Sequence, residues 1–337
     1  MKKFAFLIHP RLSAKDDMGR VNPVFRLFPE TVLEFIIKFL PPIVSSKIVI
    51  EGSSEVEGYI IVVPFTGKQF YTLPRATVLN KLKQAIKKAK QLGVTVVGLG
   101  EFTSTISHGG LDLIADVGVT ITNGNSLTAG ITVESVRKII KDNGLSKEGV
   151  TIGIVGAAGS IGSAVTKMFV ADGFDVIVND KKKERLQEMI ASIGRAASKK
   201  IKIVADLNSF NEADIVVVAS SAIESLIKES YLKKGAIIYD ITQPRNISPE
   251  ILKQRPDVKI IDGGIIDTPQ IDYGMDIGLR PRQAFACLSE TIIFALEGRM
   301  ENSVGFVDLA KAEEMIILMK RYPYFKINFY SFGKPLK

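Results

Sequence analysis

Short apolar runs alternate with segments of helical periodicity between residues 150 and 262. The runs are rich in Val and Ile, whereas the segments between them place apolar residues three or four positions apart. This alternation predicts parallel strands joined by helices that cover both faces of a sheet. The runs that we assign to strands span residues 151–155, 175–179, 201–205, 214–219, 236–240 and 258–261. Six strands of this kind predict an α/β fold with a doubly wound parallel sheet, the Rossmann domain.

Other patterned segments divide the rest of the chain. Helical periodicity spans residues 161–171, 183–193 and 222–233 inside this domain, 127–142 before it and 281–297 after it. Residues 1–10 read as a first strand, because their apolar run is too short for a signal peptide. The parts that we expect are an N-terminal substrate domain (1–127), a dinucleotide-binding domain (128–275) and a C-terminal helical segment (276–337).

A glycine-rich turn follows the first strand of the expected Rossmann domain. Its spacing is G-x-x-G-x-x-G rather than G-x-G-x-x-G, but the physical demands are the same. Glycine permits a sharp turn and close backbone approach, and the helix N-terminus offers amide hydrogens to a pyrophosphate. Ligand should also lie near the turn at residues 240–245. The residues that we expect at the cofactor here are Gly156, Ala158, Gly159, Ser160, Ile161, Gly162 and Ser220.

The adenosine end of the cofactor should meet the residues after the second strand. Asp180 stands close to the position where an acidic side chain binds the ribose hydroxyls, which favours NAD. Asn179 and the lysines that begin at Lys181 favour NADP, because ammonium groups attract a 2′-phosphate. We expect NADPH as the cofactor, with NADH as the open alternative, and Asn179, Asp180 and Lys181 as binding residues.

The chain has a single cysteine, Cys287, which cannot form an internal disulfide. If a helix begins at Pro281, Arg280 and Gln283 share the helical face of Cys287, and a guanidinium there would favour the nucleophilic thiolate. The alternative is a buried, inert thiol, since free cysteine packs as a small hydrophobe and its neighbours here are apolar. A lone cysteine also fits a reducing compartment, so we expect the cytoplasm.

The expected position of Cys287 indicates a reaction. After Gly263 and Gly264 the chain leaves the sheet, and the helix 281–297 is expected to carry Cys287 over the cleft toward the nicotinamide. A thiolate that captures an acyl group, followed by hydride delivery to the acyl carbon, releases an aldehyde. Cys287 is therefore our candidate catalytic residue.

Composition excludes several other classes of protein. The 337 residues carry a net charge of +8, but the lysines at 81–90 are not interleaved with aromatic residues, so we expect no nucleic acid partner. That segment reads as a solvated face or a docking site for an acidic protein. With two histidines and one cysteine, no metal site is expected. The apolar segment 32–44 is interrupted by charges and prolines, which predicts a core helix or, alternatively, contact with lipid or an acyl chain.

Several motifs resemble those of the long-chain fatty acyl-[acyl-carrier-protein] reductases of cyanobacterial type. The resemblance implies an NADPH-dependent oxidoreductase whose first domain binds an acyl chain. It also implies that Cys287 accepts this chain from acyl carrier protein or coenzyme A, before release as a fatty aldehyde, with peripheral membrane contact as a further expectation. Glu101 stands where the family has glycine. The matching segments are residues 98–104, 122–129, 155–164, 262–264 and, most specific, 280–298.

Two other classes stay open on the sequence. One is a dehydrogenase of a small hydroxy or amino acid, related to shikimate dehydrogenase or to glutamyl-tRNA reductase, which the turn at residues 240–247 resembles. The other is a nucleotide-binding sensor without catalytic activity. Only the thioester reductase should carry an acyl adduct on Cys287.

Overall fold

The structure, a computed structural model, describes residues 1–10, 13–15, 23–115, 117–220, 227–243 and 245–336. The chain divides into two units, Met1–Gly124 with Thr268–Gly305 (unit 1) and Asn125–Asp267 with Phe306–Lys337 (unit 2). This division differs from the expected ranges, because the segment 276–337 is shared between both units. Helix packing explains the difference: the helix at residues 286–297 packs on the sheet of unit 1, whereas the last helix packs within unit 2.

Strands and helices are numbered in chain order. The strands are β1 (Lys2–Ile8), β2 (Ile43–Ile50), β3 (Val56–Val62), β4 (Val96–Leu99), β5 (Thr120–Thr122), β6 (Thr151–Val155), β7 (Asp175–Asn179), β8 (Ile201–Ile203), β9 (Ile215–Val218), β10 (Ile237–Asp240), β11 (Lys259–Asp262), β12 (Ile265–Asp267), β13 (Ile271–Asp272), β14 (Gln283–Phe285), β15 (Tyr330–Ser331) and β16 (Lys334–Pro335). The helices are α1 (Glu30–Ile37), α2 (Gly67–Thr72), α3 (Arg75–Gln91), α4 (Phe102–Ile106), α5 (Asn125–Asp142), α6 (Ser160–Ala171), α7 (Lys183–Ala191), α8 (Arg195–Ser198), α9 (Ile251–Gln254), α10 (Ala286–Glu297) and α11 (Leu309–Arg321).

Unit 2 contains the predicted Rossmann sheet. Its strands lie in the order β11-β10-β9-β6-β7-β8 and pair in parallel, which is the doubly wound order. The central strands are buried because their Val and Ile side chains face helices on both sides. The α/β fold class is therefore confirmed, and each of the six strands overlaps its predicted range.

One helix prediction in unit 2 is wrong over the residues that the structure describes, 227–233. The pattern 222–233 predicts a helix, but residues 221–226 lie outside the described residues, and the described remainder contains only the 3-10 turn Glu229–Tyr231. Its buried positions, Ile227 and Leu232, join the core cluster against the sheet as anchors of a loop. Apolar spacing thus reported burial correctly and secondary structure incorrectly at this point.

Unit 1 contains a second sheet, in the order β13-β2-β3-β1-β4-β5. β1 pairs in parallel with β3 and β4, and β4 with β5, whereas β2 and β13 add antiparallel strands at one edge. The chain goes from β1 to β3 on one side and returns to β4 on the other. The order therefore reverses between β1 and β4, and the carboxyl ends at such a point are the usual place for a ligand.

Helix α1 is not the core helix that the segment 32–44 predicts. It buries Leu33 and Ile37, whereas Phe35 is 60% exposed and Val32 and Ile36 are also exposed. Phe39, directly after the helix, is exposed as well. One face of α1 is thus apolar and open to solvent. In the part of the chain that the structure describes, no helix is both long and apolar enough to cross a membrane.

The sheet of unit 2 supplies a test of the fold. Phe210 is fully buried and lies so close to β6 that a Cβ on Gly153 would fall 2.5 Å from its ring. We expect Phe210→Ala to destabilise unit 2 by about 3–5 kcal/mol. The substitution leaves a cavity beside Gly153, which has no side chain that could fill it. The control is Ile203→Ala in β8, where the side chain is half exposed and a loss under about 0.5 kcal/mol is expected. Urea unfolding followed by circular dichroism compares the two, and equal losses would contradict this account.

Candidate functional site

The glycine-rich loop joins β6 to α6 in unit 2. Gly156 has a φ of +85°, which L side chains rarely adopt. Gly162 packs against it so closely that a Cβ would fall 2.2 Å from the Gly156 carbonyl oxygen. Gly159, the N-cap residue of α6, is exposed, and the nearest atom to its ideal Cβ is 3.2 Å away. The first and third glycines therefore shape the loop itself, whereas the second leaves the helix N-terminus open to a ligand.

The residues at the end of β7 hold this loop in place. The backbone N–H groups of Gly156 and Ala157 both donate to the Asn179 carbonyl oxygen, at 2.9 and 3.2 Å. The Asn179 side chain turns the other way and donates to the Val204 carbonyl oxygen at 3.0 Å. Asn179 thus contacts the loop through its backbone, and its amide ties β7 to the end of β8.

Asp180 also binds the loop directly. One carboxylate oxygen accepts the Ala158 N–H at 2.9 Å and the other accepts the Lys182 N–H at 2.8 Å. Lys181, between them in sequence, is exposed. The structure therefore brings the predicted residues Asp180 and Lys181 to the glycine-rich loop, and it assigns the carboxylate a structural role that its position in sequence did not reveal.

The other predicted cofactor residues lie around the same loop. Ser160 begins α6, and its hydroxyl accepts a hydrogen bond from the Asn125 amide at 3.2 Å. Ile161, on the first turn, is half-buried and packs against the core of unit 2. Ser220 follows the carboxyl end of β9, and its backbone nitrogen lies 2.9 Å from the ideal Cβ position of Gly156. The loop and the end of β9 are thus in contact.

A recess beside the loop contains two cations that sequence reasoning missed. Lys167 lies on α6, seven residues after Ser160, the first residue of that helix. Arg185 lies on α7, five residues after Asp180. Periodicity on these two helices could have found them, because Lys167 lies two helical turns after the loop and Arg185 lies in the first turn of the helix that follows Asp180. The residues that line the recess are Ala158, Ser163, Lys167, Arg185, Glu188, Met189 and Phe306.

The turn after β10 is built around a buried carboxylate. Asp240 accepts hydrogen bonds from the Thr242 N–H, the Thr242 hydroxyl and the Asn246 N–H, at 3.0, 2.6 and 3.0 Å. Burial raises its pKa to about 6, while these donors pull the pKa down. Pro244, also in this predicted turn, lies outside the described residues. Asp240 thus has three local partners that account for its position.

Cys287 lies in unit 1, and the helix that carries it begins later than predicted. Gln283 belongs to β14, Phe285 is the N-cap, and α10 starts at Ala286. Arg282 has a φ of +64°, which interrupts any helical turn between Pro281 and Ala286. Arg280 and Gln283 therefore do not share a helical face with Cys287, and the predicted guanidinium on that face is wrong. Proline suits a first turn, but the backbone here turns before the helix starts.

The surroundings of Cys287 favour the neutral thiol. Burial, together with the negative charges of Glu101 and Glu290, raises the pKa of the thiol to about 12. The backbone N–H groups of Leu288 and of Cys287 itself, in the first turn of α10, pull the pKa in the opposite direction. Burial prevails, so the thiol is protonated at neutral pH. The residue as a whole keeps part of its surface exposed, although the thiol group itself is buried.

The carboxyl ends of three strands of unit 1 surround Cys287. His9 follows β1, Glu101 follows β4 by two residues, and Gly124 follows β5. A Cβ on Gly124 would fall 2.2 Å from both Cα and Cβ of Cys287, so this backbone lies directly on the cysteine. The sequence contained a signal for this cluster, since polar residues directly after parallel strands meet at one edge of a sheet.

A buried carboxyl group fixes the loop that contacts Cys287. Glu290, fully buried on α10, accepts a hydrogen bond from the Thr122 hydroxyl. The same hydroxyl accepts the Gly124 N–H at 3.1 Å. Sequence reasoning missed this role of Glu290, although it lies one helical turn after Cys287.

His9 and Glu101 are in contact at the same edge of the sheet. His9 Nε2 lies 2.9 Å from a Glu101 carboxylate oxygen, within ion-pair distance but without the alignment of a hydrogen bond. The other ring nitrogen, Nδ1, lies 2.8 Å from the Pro10 carbonyl oxygen, and the ring stacks on Phe102. His9 is almost completely buried. Among the described residues, no three His, Cys, Asp or Glu side chains are grouped as a metal ion would require.

Comparisons with known proteins agree with the fold of unit 2 and extend beyond it. Residues 134–262 match the family model of shikimate / quinate 5-dehydrogenase. The chain is 25% identical over 296 residues to aminotransferase PigE of Serratia sp. (strain ATCC 39006), which covers 86% of the chain and 34% of that protein. The chain thus spans about a third of the length of PigE.

A second relative is the long-chain acyl-[acyl-carrier-protein] reductase of Synechococcus elongatus, 28% identical over 242 residues, with 67% of the chain and 69% of that protein covered. Among solved structures, the NAD-dependent malic enzyme of Thermotoga maritima covers 96% of the chain and 85% of its own, at 13% identity and a TM-score of 0.43. The glycine-rich loop on a Rossmann sheet, together with the family match, supports an NAD(P)-dependent oxidoreductase.

Proposed function

We propose that the protein reduces a long-chain acyl thioester to a fatty aldehyde with NADPH, through an acyl group held on Cys287. The observation that carries this proposal is the position of Cys287, partly accessible in the first turn of α10, where carboxyl ends of parallel strands meet. The similarity to the Synechococcus acyl reductase supports the same chemistry, since it covers two thirds of the chain. The donor is acyl carrier protein or coenzyme A, and we place the enzyme in the cytoplasm.

The first step in this proposal is acyl transfer to sulfur. The Cys287 thiol loses its proton, the sulfur attacks the thioester carbonyl carbon, and the donor leaves as a thiol. The backbone N–H groups of the first turn of α10 stabilise the negative charge that develops on the sulfur. NADPH, when bound, supplies the hydride that reduces the acyl carbon, after which Cys287 takes back a proton as the aldehyde leaves.

The cofactor would be held by the glycine-rich loop. Gly159 and Ser160, at the open N-terminus of α6, would bind the pyrophosphate through their backbone. Lys181 would bind a 2′-phosphate, and Lys167 and Arg185 add positive charge beside Ala158. The Asp180 carboxylate already accepts hydrogen bonds from two backbone N–H groups. The presence of an acidic residue at this position is therefore explained without a bond to the ribose. These contacts support NADPH over NADH.

The acyl chain and its carrier would meet unit 1. The exposed apolar residues of α1 and Phe39 support contact with an acyl chain or with a membrane surface, as peripheral contact. The net charge of +8 supports an acidic protein donor such as acyl carrier protein, whose approach complementary charge would accelerate.

A second candidate is a dehydrogenase of a small hydroxy or amino acid. The match to shikimate / quinate 5-dehydrogenase favours it, but that match ends at residue 262 and lies within unit 2. It therefore supports the nucleotide-binding half and leaves the substrate to unit 1. An acyl adduct on Cys287 separates the two candidates, because a hydroxy acid dehydrogenase forms none.

Cys287→Ser should abolish aldehyde formation and leave cofactor binding unchanged, because only the acyl transfer step requires sulfur. After incubation with palmitoyl-coenzyme A, mass spectrometry should detect an acyl adduct on wild-type Cys287 and none on the variant. Fluorescence titration with NADPH is the control for folding. Retained aldehyde formation by Cys287→Ser would overturn the covalent mechanism.

Gly159→Val should weaken NADPH binding about tenfold or more without unfolding the protein, because the side chain would occupy the open side of the loop. The matched control is Gly194→Val, also at a helix N-cap in unit 2, with nothing within 4 Å of its Cβ position. Fluorescence titration measures both variants. Equal binding by the two would place the cofactor elsewhere.

Lys181→Ala should cost roughly 1.5–3 kcal/mol of NADPH affinity, the range of a charge-assisted hydrogen bond, and leave NADH nearly unaffected. Lys199→Ala, which removes an exposed lysine of the same unit away from the loop, should change neither. Values of kcat/KM for both cofactors decide the matter. If the wild-type enzyme prefers NADH, with the preference reversed in Asp180→Ala, the choice of NADPH is wrong.

A further inference from the structure

We propose that Glu101 is the base that takes the Cys287 proton during acyl transfer, and that His9 holds its carboxylate in position. This inference rests on the proposed function and adds the group that activates its nucleophile. It is carried by the strained backbone at Glu101, by the buried His9 ring beside its carboxylate, and by the close packing of α10, the helix of Cys287, on Gly98 of β4, three residues before Glu101.

The backbone at Glu101 is unfavourable for a residue with a side chain. Its φ is 51° and its ψ is −125°, a region that is largely confined to glycine. A long carboxylate at such a position costs free energy, and strain of this kind concentrates at functional sites. Gly100, its neighbour, shows how tight the turn is, since a Cβ there would fall 2.7 Å from the Leu7 carbonyl oxygen. The tight turn therefore restricts the directions in which the Glu101 side chain can extend.

His9 supplies the partner that this side chain requires. Its ring is stacked on Phe102 with centroids 5.0 Å apart and is tilted against Phe70 at 4.9 Å, so the aromatic contacts fix the ring plane. With Nδ1 beside the Pro10 carbonyl oxygen and Nε2 beside Glu101, both ring nitrogens face oxygen atoms. His9 and Glu101 follow β1 and β4, the two strands between which the order of the sheet reverses. His9 is therefore a positioning residue for the Glu101 carboxylate.

Glu101 is the better placed of two carboxyl groups near the sulfur. The negative charges of both Glu101 and Glu290 raise the pKa of Cys287, and His9 lies beside Glu101. Glu290 is completely buried and holds the Thr122 hydroxyl, whereas the Glu101 side chain is 18% exposed. A base that exchanges protons with donor and solvent needs such access. Glu101 has this access to solvent, whereas Glu290 holds the loop after β5 in place through Thr122.

A protonated thiol must lose its proton during acyl transfer, and in this chain Glu101, at a position where the family that it resembles has glycine, supplies a carboxylate for that step. A pKa of about 12 leaves roughly one molecule in ten thousand as thiolate at pH 8. In the step that we propose, the sulfur–hydrogen bond breaks as the proton passes to the Glu101 carboxylate, and the sulfur forms a bond to the acyl carbon. The carbon–sulfur bond to the donor then breaks, and Glu101 returns the proton to the departing thiolate. No oxidant or reductant is consumed.

The test compares acylation with simple alkylation of the same sulfur. In Glu101→Gln, transfer from palmitoyl-coenzyme A to Cys287, followed by mass spectrometry, should slow about 100-fold or more, as removal of a general base does. Alkylation by iodoacetamide at pH 9 should become faster, because the variant lacks a negative charge that raises the thiol pKa. A merely structural role would move both rates together or neither.

Chemical rescue gives an independent readout. Glu101→Gly relieves the backbone strain, so it should fold at least as stably as wild type, as a thermal transition can verify. Added acetate should partly restore its acylation rate by replacing the missing carboxylate. The control is Glu57→Gln, which changes a carboxylate at the amino end of β3 that pairs with Lys47 of β2. This variant should acylate at the wild-type rate.

Two results would overturn the assignment of Glu101. One is acylation of Glu101→Gln at the wild-type rate, and the other is loss of acylation in Glu101→Gly without rescue by acetate. Failure of the proposed function looks different, because wild-type Cys287 would then never acquire an acyl adduct. The alkylation rates would still show in that case whether Glu101 controls the thiol.

Discussion

Close packing on glycine backbone, at positions where a Cβ atom has no room, determines how both candidate sites are built. In unit 1, Gly98 lets α10 lie against β4, since a Cβ there would fall 2.0 Å from the Thr291 hydroxyl oxygen. Gly124 then brings the end of β5 onto Cys287. In unit 2, Gly162 packs on the Gly156 carbonyl in the same way. Side chains are held at these places by contacts that allow little adjustment, which is what a reactive group requires.

Opposing electrostatic effects act on Cys287. The first turn of α10 offers amide hydrogens that stabilise a negative sulfur, and helix polarity acts in the same direction. Burial and two carboxylates act against it and prevail. The same helix that presents the sulfur also carries Glu290, so the element that favours the thiolate contributes to its suppression. Neither effect alone describes the state of this thiol.

The sequence predicted the Rossmann sheet well because its strands are continuous Val and Ile runs bounded by glycine, polar residues or helix signals. It also predicted the glycine-rich loop and the proximity of Asp180, since both follow strand ends. The start of α10 was missed. Proline is compatible with a first helical turn, and no residue type in this segment indicates that Arg282 takes a positive φ. The cluster of His9, Glu101 and Cys287 joins residues far apart in the chain. Polar residues after strand ends are a signal for it, but the signal can be interpreted only with the strand order of unit 1, which local patterns do not specify.

The protonation of Cys287 has a consequence for oxidative stress. Hydrogen peroxide and disulfides react with thiolate, so a thiol with a pKa of about 12 is oxidised slowly at neutral pH. The burial that keeps the thiol protonated therefore also slows its oxidation in the resting protein. With a single cysteine in the chain, no second thiol can resolve a sulfenic acid as an internal disulfide.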